Sequence, residues 1–204
     1  MHAALGAALA GMGLGLSLIV AIGAQNAYVL RQGLRREHVL PIVAFCAVSD
    51  AVLMAVGVGG AGAVLRAAPS AADAVRWVGA VFLAGYGLLS LRRALHPGRL
   101  TADETGVGTP LPRAMATVAA MTWLNPHVYL DTLLLVGSVA AGHGDQRWWF
   151  AAGAATGSVI WFTGLGFGAR ALSGLFSRPA AWRALDVLIG LTMLTLAVTL
   201  VRST

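Results

Sequence analysis

The sequence has no lysine, one cysteine and little charge of either sign. All 14 basic residues are arginine, they stand against 8 acids, and charged residues fill only 11% of the 204 positions. Each shortage removes a class of protein. So little charge does not cover the surface of a soluble domain of this length. A single thiol, Cys46, permits neither an internal disulfide nor CxxC redox chemistry. No HExxH and no GxSxG string occurs, so two signatures of intramembrane hydrolysis are missing. No segment alternates apolar and polar residues with the period of a membrane β-strand. The N-terminal MHAALGAALAGMG has no basic residue ahead of its apolar run, where a cleaved signal peptide needs one, and is expected to be a retained first span.

What is present is apolar: 58% of residues are hydrophobic. Runs of about 18 or more such residues indicate membrane helices, and six can be drawn, over 4–30, 39–65, 74–94, 114–141, 148–172 and 184–201. The expected fold is an all-α integral membrane protein of six transmembrane helices, with the lipid bilayer as its solvent. Several runs, the first, fourth and fifth among them, exceed the roughly 20 residues a bilayer needs, so they are tilted, broken or extended beyond the hydrocarbon. The 26 glycines lie largely inside the runs, as in membrane helices packed closely through small residues.

The net charge of +6 does not imply nucleic-acid binding, because the arginines are placed by topology. Loops 1–2, 3–4 and 5–6 hold ten of them: Arg31, Arg35 and Arg36; Arg92, Arg93, Arg99 and Arg113; Arg170, Arg178 and Arg183. The opposite side holds Arg66, Arg76, Arg147 and Arg202. By the positive-inside rule the arginine-rich loops are cytoplasmic and both termini are outside. A first span that fails to cross moves the N-terminus inside and leaves the rest unchanged.

The segment 96–112, HPGRLTADETGVGTPLP, is rich in Pro and Gly and has no apolar period. As a cytoplasmic linker it separates two halves, 1–95 and 113–204, of three spans each, and an odd number per half inverts one against the other. The halves also align. QNAYVL (25–30) lies on LNPHVYL (124–130), matching Asn26 to Asn125. SDAVLMAVGVGGAGAVL (49–65) lies on GSVIWFTGLGFGARALS (157–173), and VGAVFLAGYG (78–87) on IGLTMLTLAV (189–198). Inverted three-helix repeats with interrupted helices are a transporter pattern, with the site near the midplane between them.

Two polar interruptions stand in apolar runs. IGAQNA places Gln25 and Asn26 after Gly23, and WLNPH places Asn125 before Pro126. Pro126 lacks an N–H and leaves the Thr122 carbonyl without a helix partner. Freed backbone groups at membrane depth persist where they are buried in protein or line a wet cavity. Either these groups bind a zwitterion, or the amides simply join helices and Pro126 only kinks. Asp50 and Asp131 lie in apolar surroundings with no basic residue in a span to neutralise them, and intramembrane acids mark pathways and proton relays. The alternative is a protonated Asp bonded across a helix interface. His127 is four residues before Asp131 on the same helical face, so Asp50, His127 and Asp131 form a candidate proton relay. Asp186, three residues after Arg183, is expected in an ion pair with it at headgroup level. Trp77, Trp148, Trp149 and Trp182 fall at span ends, as interfacial Trp does, while Trp123 and Trp161 lie deeper and either line a cavity or pack.

IGAQNAYVLRQGLRREHVL, the SDAVLM segment and WLNPHVYLDTLLLVGS together resemble the LysE/ArgO family of bacterial exporters for basic amino acids, over nearly the whole chain. Related neutral amino-acid exporters tend to carry a PGP-like motif where this chain has GAQ. The resemblance implies a carrier in the bacterial cytoplasmic membrane that expels L-lysine or L-arginine, without a cofactor and driven by the membrane gradient. It implies substrate-binding roles for Gln25, Asn26, Asp50, Asn125, Pro126 and Asp131, and leaves a homo-oligomer open. The rival solutes are a neutral amino acid and a divalent metal cation, the latter if Asp50, His127 and Asp131 meet.

Overall fold

The computed structural model describes residues 2–20, 23–61, 69–95, 109–125, 128–172 and 179–202. Among these, all regular structure is helical: α1 (His2–Ile19), α2 (Ala24–Arg35), α3 (Val39–Val56), α4 (Pro69–Leu95), α5 (Leu111–Trp123), α6 (Val136–Ala141), α7 (Arg147–Gly168) and α8 (Pro179–Arg202). Beyond α3 the chain kinks within Gly57–Ala61, where Gly60 takes a left-handed backbone (φ 98°), and a wide π-helical stretch, Tyr129–Leu135, leads into α6.

Among the described residues, five helices are long and apolar enough to cross a bilayer: His2–Ile19, Val39–Gly60, Trp77–Leu95, Gly144–Ala171 and Ala180–Thr199. Of the six expected spans, two of the runs that exceed the bilayer, the first and the fourth, are broken. The first run is two helices. Among the described residues the last backbone bond of its upstream half is Val20 N–H to the Leu16 carbonyl, and the chain restarts through an extended Gly23 (φ −110°, ψ −179°) at the head of α2. The fourth run stops at Trp123 and resumes at Val128, whose N–H turns back to the Asn125 carbonyl at 3.1 Å. The sequence explains both breaks: Gly23 has no side chain to favour the helix, and Pro126 has no N–H to continue it. Pro126 and His127 themselves lie outside the described residues, as do 96–108 of the linker.

Helices α1 and α3 both pack on α7, and α4 packs on α8. Glycine sets how closely they approach. A Cβ on Gly153 of α7 would strike the Ala8 carbonyl of α1, and one on Gly11 would strike the Phe150 carbonyl. In the α4–α8 pair, a Cβ on Gly190 would lie 2.6 Å from Leu91 Cγ and 3.0 Å from the Gly87 carbonyl oxygen. Helices in a membrane gain little from mutual apolar burial, so close van der Waals fit supplies the association. Large apolar side chains cover the outside instead, among them Leu5, Leu9, Leu40, Val48, Val81 and Leu191.

The α2–α3 turn is tight. Arg36 and His38 both take left-handed backbone conformations, at φ 57° and 51°. His38 Nε2 lies 2.7 Å from the Thr109 carbonyl oxygen, and the Thr109 N–H donates to Glu37 Oε2 at 3.4 Å. Loop 1–2 and the C-terminal end of loop 3–4 therefore meet at one end of the bundle.

Candidate functional site

Where the two broken runs face each other, a cavity of about 280 Å³ opens. Its polar lining comes from Gln25 and Asn26 at the head of α2, Asp50 on α3, and Asn125, Asp131 and Thr132 around the second break; Leu18, Ile19, Met54, Val128, Phe162 and Leu196 supply apolar walls. Five of the six residues named from sequence as substrate-binding line this one cavity. The sixth, Pro126, and the relay candidate His127 lie outside the described residues, so the His127–Asp131 pair is not described. Asn125 and Asp131 are six residues apart, which on an unbroken helix would turn them about 240° from each other. They share the cavity because the helix is interrupted between them.

Side chains beyond each break close the helix before it. The last carbonyls of a helix have no partner within it. Asn26 Nδ2 donates to the Ile19 carbonyl, the end of α1, at 2.5 Å. Tyr129 donates its hydroxyl to the Trp123 carbonyl, the end of α5, at 2.6 Å. Beyond the second break, Thr132 Oγ1 donates to the Val128 carbonyl at 2.5 Å.

Two residues of α7 hold the polar lining from behind. Ser158, fully buried, donates to Asp50 Oδ2 at 2.7 Å. Trp161 Nε1 donates to Asn26 Oδ1 at 3.2 Å. Gln25 lies against the Cys46 thiol, a weak partner, and its buried Nε2 has no hydrogen-bond acceptor among the described residues. None of the described cations pairs with Asp50.

The expected Arg183–Asp186 pair is corrected. Arg183 is exposed and Asp186 is fully buried. Asp186 Oδ1 instead accepts from Arg31 Nη1 at 3.0 Å and from Arg93 Nε at 3.3 Å. Arg31, expected in loop 1–2, belongs to α2 and is buried. Arg93 also donates to Ser90 Oγ at 2.6 Å and stacks over Tyr86, 5.4 Å from the ring centre. The cluster ties α2, α4 and α8 together away from the cavity.

Ser158, Thr132 and Phe162 were not singled out from sequence, and Trp161 was left open between cavity and packing. One signal for Ser158 was present: laying 49–65 on 157–173 sets it opposite Asp50.

The comparisons with known proteins agree in kind. The family described as LysE type translocator matches residues 16–204. A protein of Mycobacterium tuberculosis named "Putative amino-acid transporter" is 50% identical over 187 residues, covering 90% of each chain. The "Lysine exporter LysE" of Corynebacterium diphtheriae is 35% identical over 223 residues, covering 95% of this chain and 98% of its own. The "Putative amino-acid transporter YggA" of Aeromonas salmonicida is 41% identical over 194 residues, covering 94% of each. No solved structure matches the chain.

Proposed function

The chain belongs to the LysE family of translocators, and from that premise we propose that it is a secondary active exporter of L-lysine and/or L-arginine across the bacterial cytoplasmic membrane. The observation that carries the reading is one cavity holding two carboxylates, Asp50 and Asp131, together with an unmatched amide donor, Gln25 Nε2, at the head of a half-helix. A basic amino acid brings two cations and one carboxylate. The N-terminal end of α2, with its partial positive charge and Gln25, suits the carboxylate. Asp50 and Asp131 suit the two cations, and Asn125 supplies a polar group between them. A neutral amino acid brings one cation fewer to the same two acids.

The proposal takes 1–95 and 113–204 as inverted three-span repeats joined by the linker 96–112. Three features support it. Both first runs are broken at the aligned polar segments; α3 packs on α7 and α4 on α8, the corresponding spans of the two halves; and loops 1–2 and 3–4 meet at one end. With the arginine-rich loops cytoplasmic, both termini lie outside.

Export of a cation runs against a negative-inside potential at about 2.3 kcal/mol per charge per 100 mV. Inward return of a proton on Asp50 or Asp131 offsets that cost, which makes the carrier an antiporter coupled to the proton motive force. The test is lysine and arginine transport in vesicles with the potential clamped and the pH gradient varied. Transport follows the gradient on this account, and transport indifferent to it contradicts the coupling.

A second reading, export of a neutral amino acid, draws on the relatives at 50% identity, which are named for amino acids of no stated charge. Threonine and homoserine in the same assay separate the two. The divalent-metal reading needs His127 beside Asp50 and Asp131, and His127 lies outside the described residues.

A further inference from the structure

We propose that Ser158 and Trp161 are positioning residues of the transport site, with one face of α7 in the second half orienting the polar groups of the first. The inference rests on the reading of the cavity as that site. Residues three apart on a helix share a face, and Ser158 and Trp161 use theirs to reach two different elements. Ser158 donates to Asp50 on α3, and Trp161 donates to Asn26 on α2. The next residue, Phe162, forms part of the cavity wall.

The two bonds do different work. Asp50 is 5% exposed, and with Oδ2 held by a buried hydroxyl at 2.7 Å its carboxylate cannot rotate without giving that bond up. It therefore meets a cation in one fixed orientation. A hydrogen bond to a charged group in such surroundings is stronger than a neutral one, and a donor fixed in advance removes ordering cost from binding. Trp161 acts one step further back. It fixes the Asn26 amide, whose nitrogen closes the end of α1 at the Ile19 carbonyl. That closure sets where the chain restarts, and so where the neighbouring Gln25 lies in the cavity. On this account Asn26 serves the site by holding the break.

Neither residue touches the transported molecule in this scheme, so the test separates affinity from turnover. Export of radiolabelled lysine and arginine is measured in vesicles for Ser158→Ala, Ser158→Cys, Trp161→Phe and Asp50→Asn, each normalised to inserted protein. Ser158→Ala is expected to raise KM about tenfold, the loss of one hydrogen bond to a charged group, with Vmax per inserted molecule within about twofold. Ser158→Cys keeps the shape with a slightly larger atom and weakens the donor, so its KM falls between wild type and alanine, and it carries the test if the alanine variant inserts poorly. Trp161→Phe keeps the ring packing, loses the N–H and raises KM by several-fold. Unchanged KM in the Ser158 and Trp161 variants, alongside an inactive Asp50→Asn, overturns the positioning role and leaves the transport site standing. Wild-type export by Asp50→Asn overturns the site itself.

Discussion

Ser158 Oγ and Asp50 Oδ2 lie 2.7 Å apart, and the two residues occupy the same position when 49–65 is laid on 157–173. In a pair of inverted repeats, residues at equivalent positions touch where the pseudo-two-fold axis passes between them. On the inverted-repeat reading the cavity acid therefore sits at that axis, the region about which alternating access turns. The same contact explains why an acid is tolerated inside a membrane bundle: a buried hydroxyl satisfies one carboxylate oxygen and the cavity receives the polar face.

The α1–α7 seam depends on small residues at backbone contact. Gly153→Val should destabilise the protein by about 1–3 kcal/mol or more, because the obstacle is the Ala8 carbonyl and not the end of a movable side chain. Gly164→Ala, on the same helix with open space around it, should leave stability equal or slightly raised. Thermal unfolding in detergent, beside the inserted fraction, checks both. Equal melting of Gly153→Val and wild type would contradict the seam.

At the buried ion cluster, Asp186→Asn removes the partner of both Arg31 and Arg93 and should cost about 3–5 kcal/mol. Replacing exposed Arg183 by Ala should change stability by no more than about 0.5 kcal/mol. The same unfolding measurement separates the observed cluster from the pair suggested by sequence spacing. Similar losses in the two variants would favour the latter.

The two helix closures differ in depth. Asn26→Ala takes the partner from both the Ile19 carbonyl and the part-buried Trp161 N–H and should cost about 1–3 kcal/mol. Tyr129→Phe removes a bond near the surface and should cost about 0.5–1.5 kcal/mol. Unfolding of the two variants in parallel tests the order, and a larger loss for Tyr129→Phe would reverse it.

What the sequence made legible was local. Gly23 and Pro126 act on their own helices, so breaks at both positions follow from backbone chemistry alone. Asp50 and Asp131 stood out because a charge in an apolar run has no local explanation. The partners of buried groups were not legible. Asp186 has an arginine three residues away on its own helix, yet its actual partners are 155 and 93 residues distant, and Arg31 was assigned to a loop because the apolar run ends at Leu30. Ser158 sits in AATGSVIW, where a small residue suggests packing, and only the comparison of halves sets it opposite an acid. The π-helical stretch at Tyr129–Leu135 leaves no pattern in the hydropathy, because widening a turn changes which backbone groups pair and not which residues are apolar.

The most direct test of the central claim is efflux of radiolabelled lysine and arginine from preloaded cells that lack their own exporter and express this chain. It is run beside Asp50→Asn and Asp131→Asn, with insertion quantified and threonine as the neutral control. The account predicts rapid efflux of the basic amino acids by the wild-type chain, little of threonine, and loss of export in both variants at normal insertion. Absence of basic amino-acid efflux from well-inserted wild-type protein, or undiminished efflux in both variants, would contradict it.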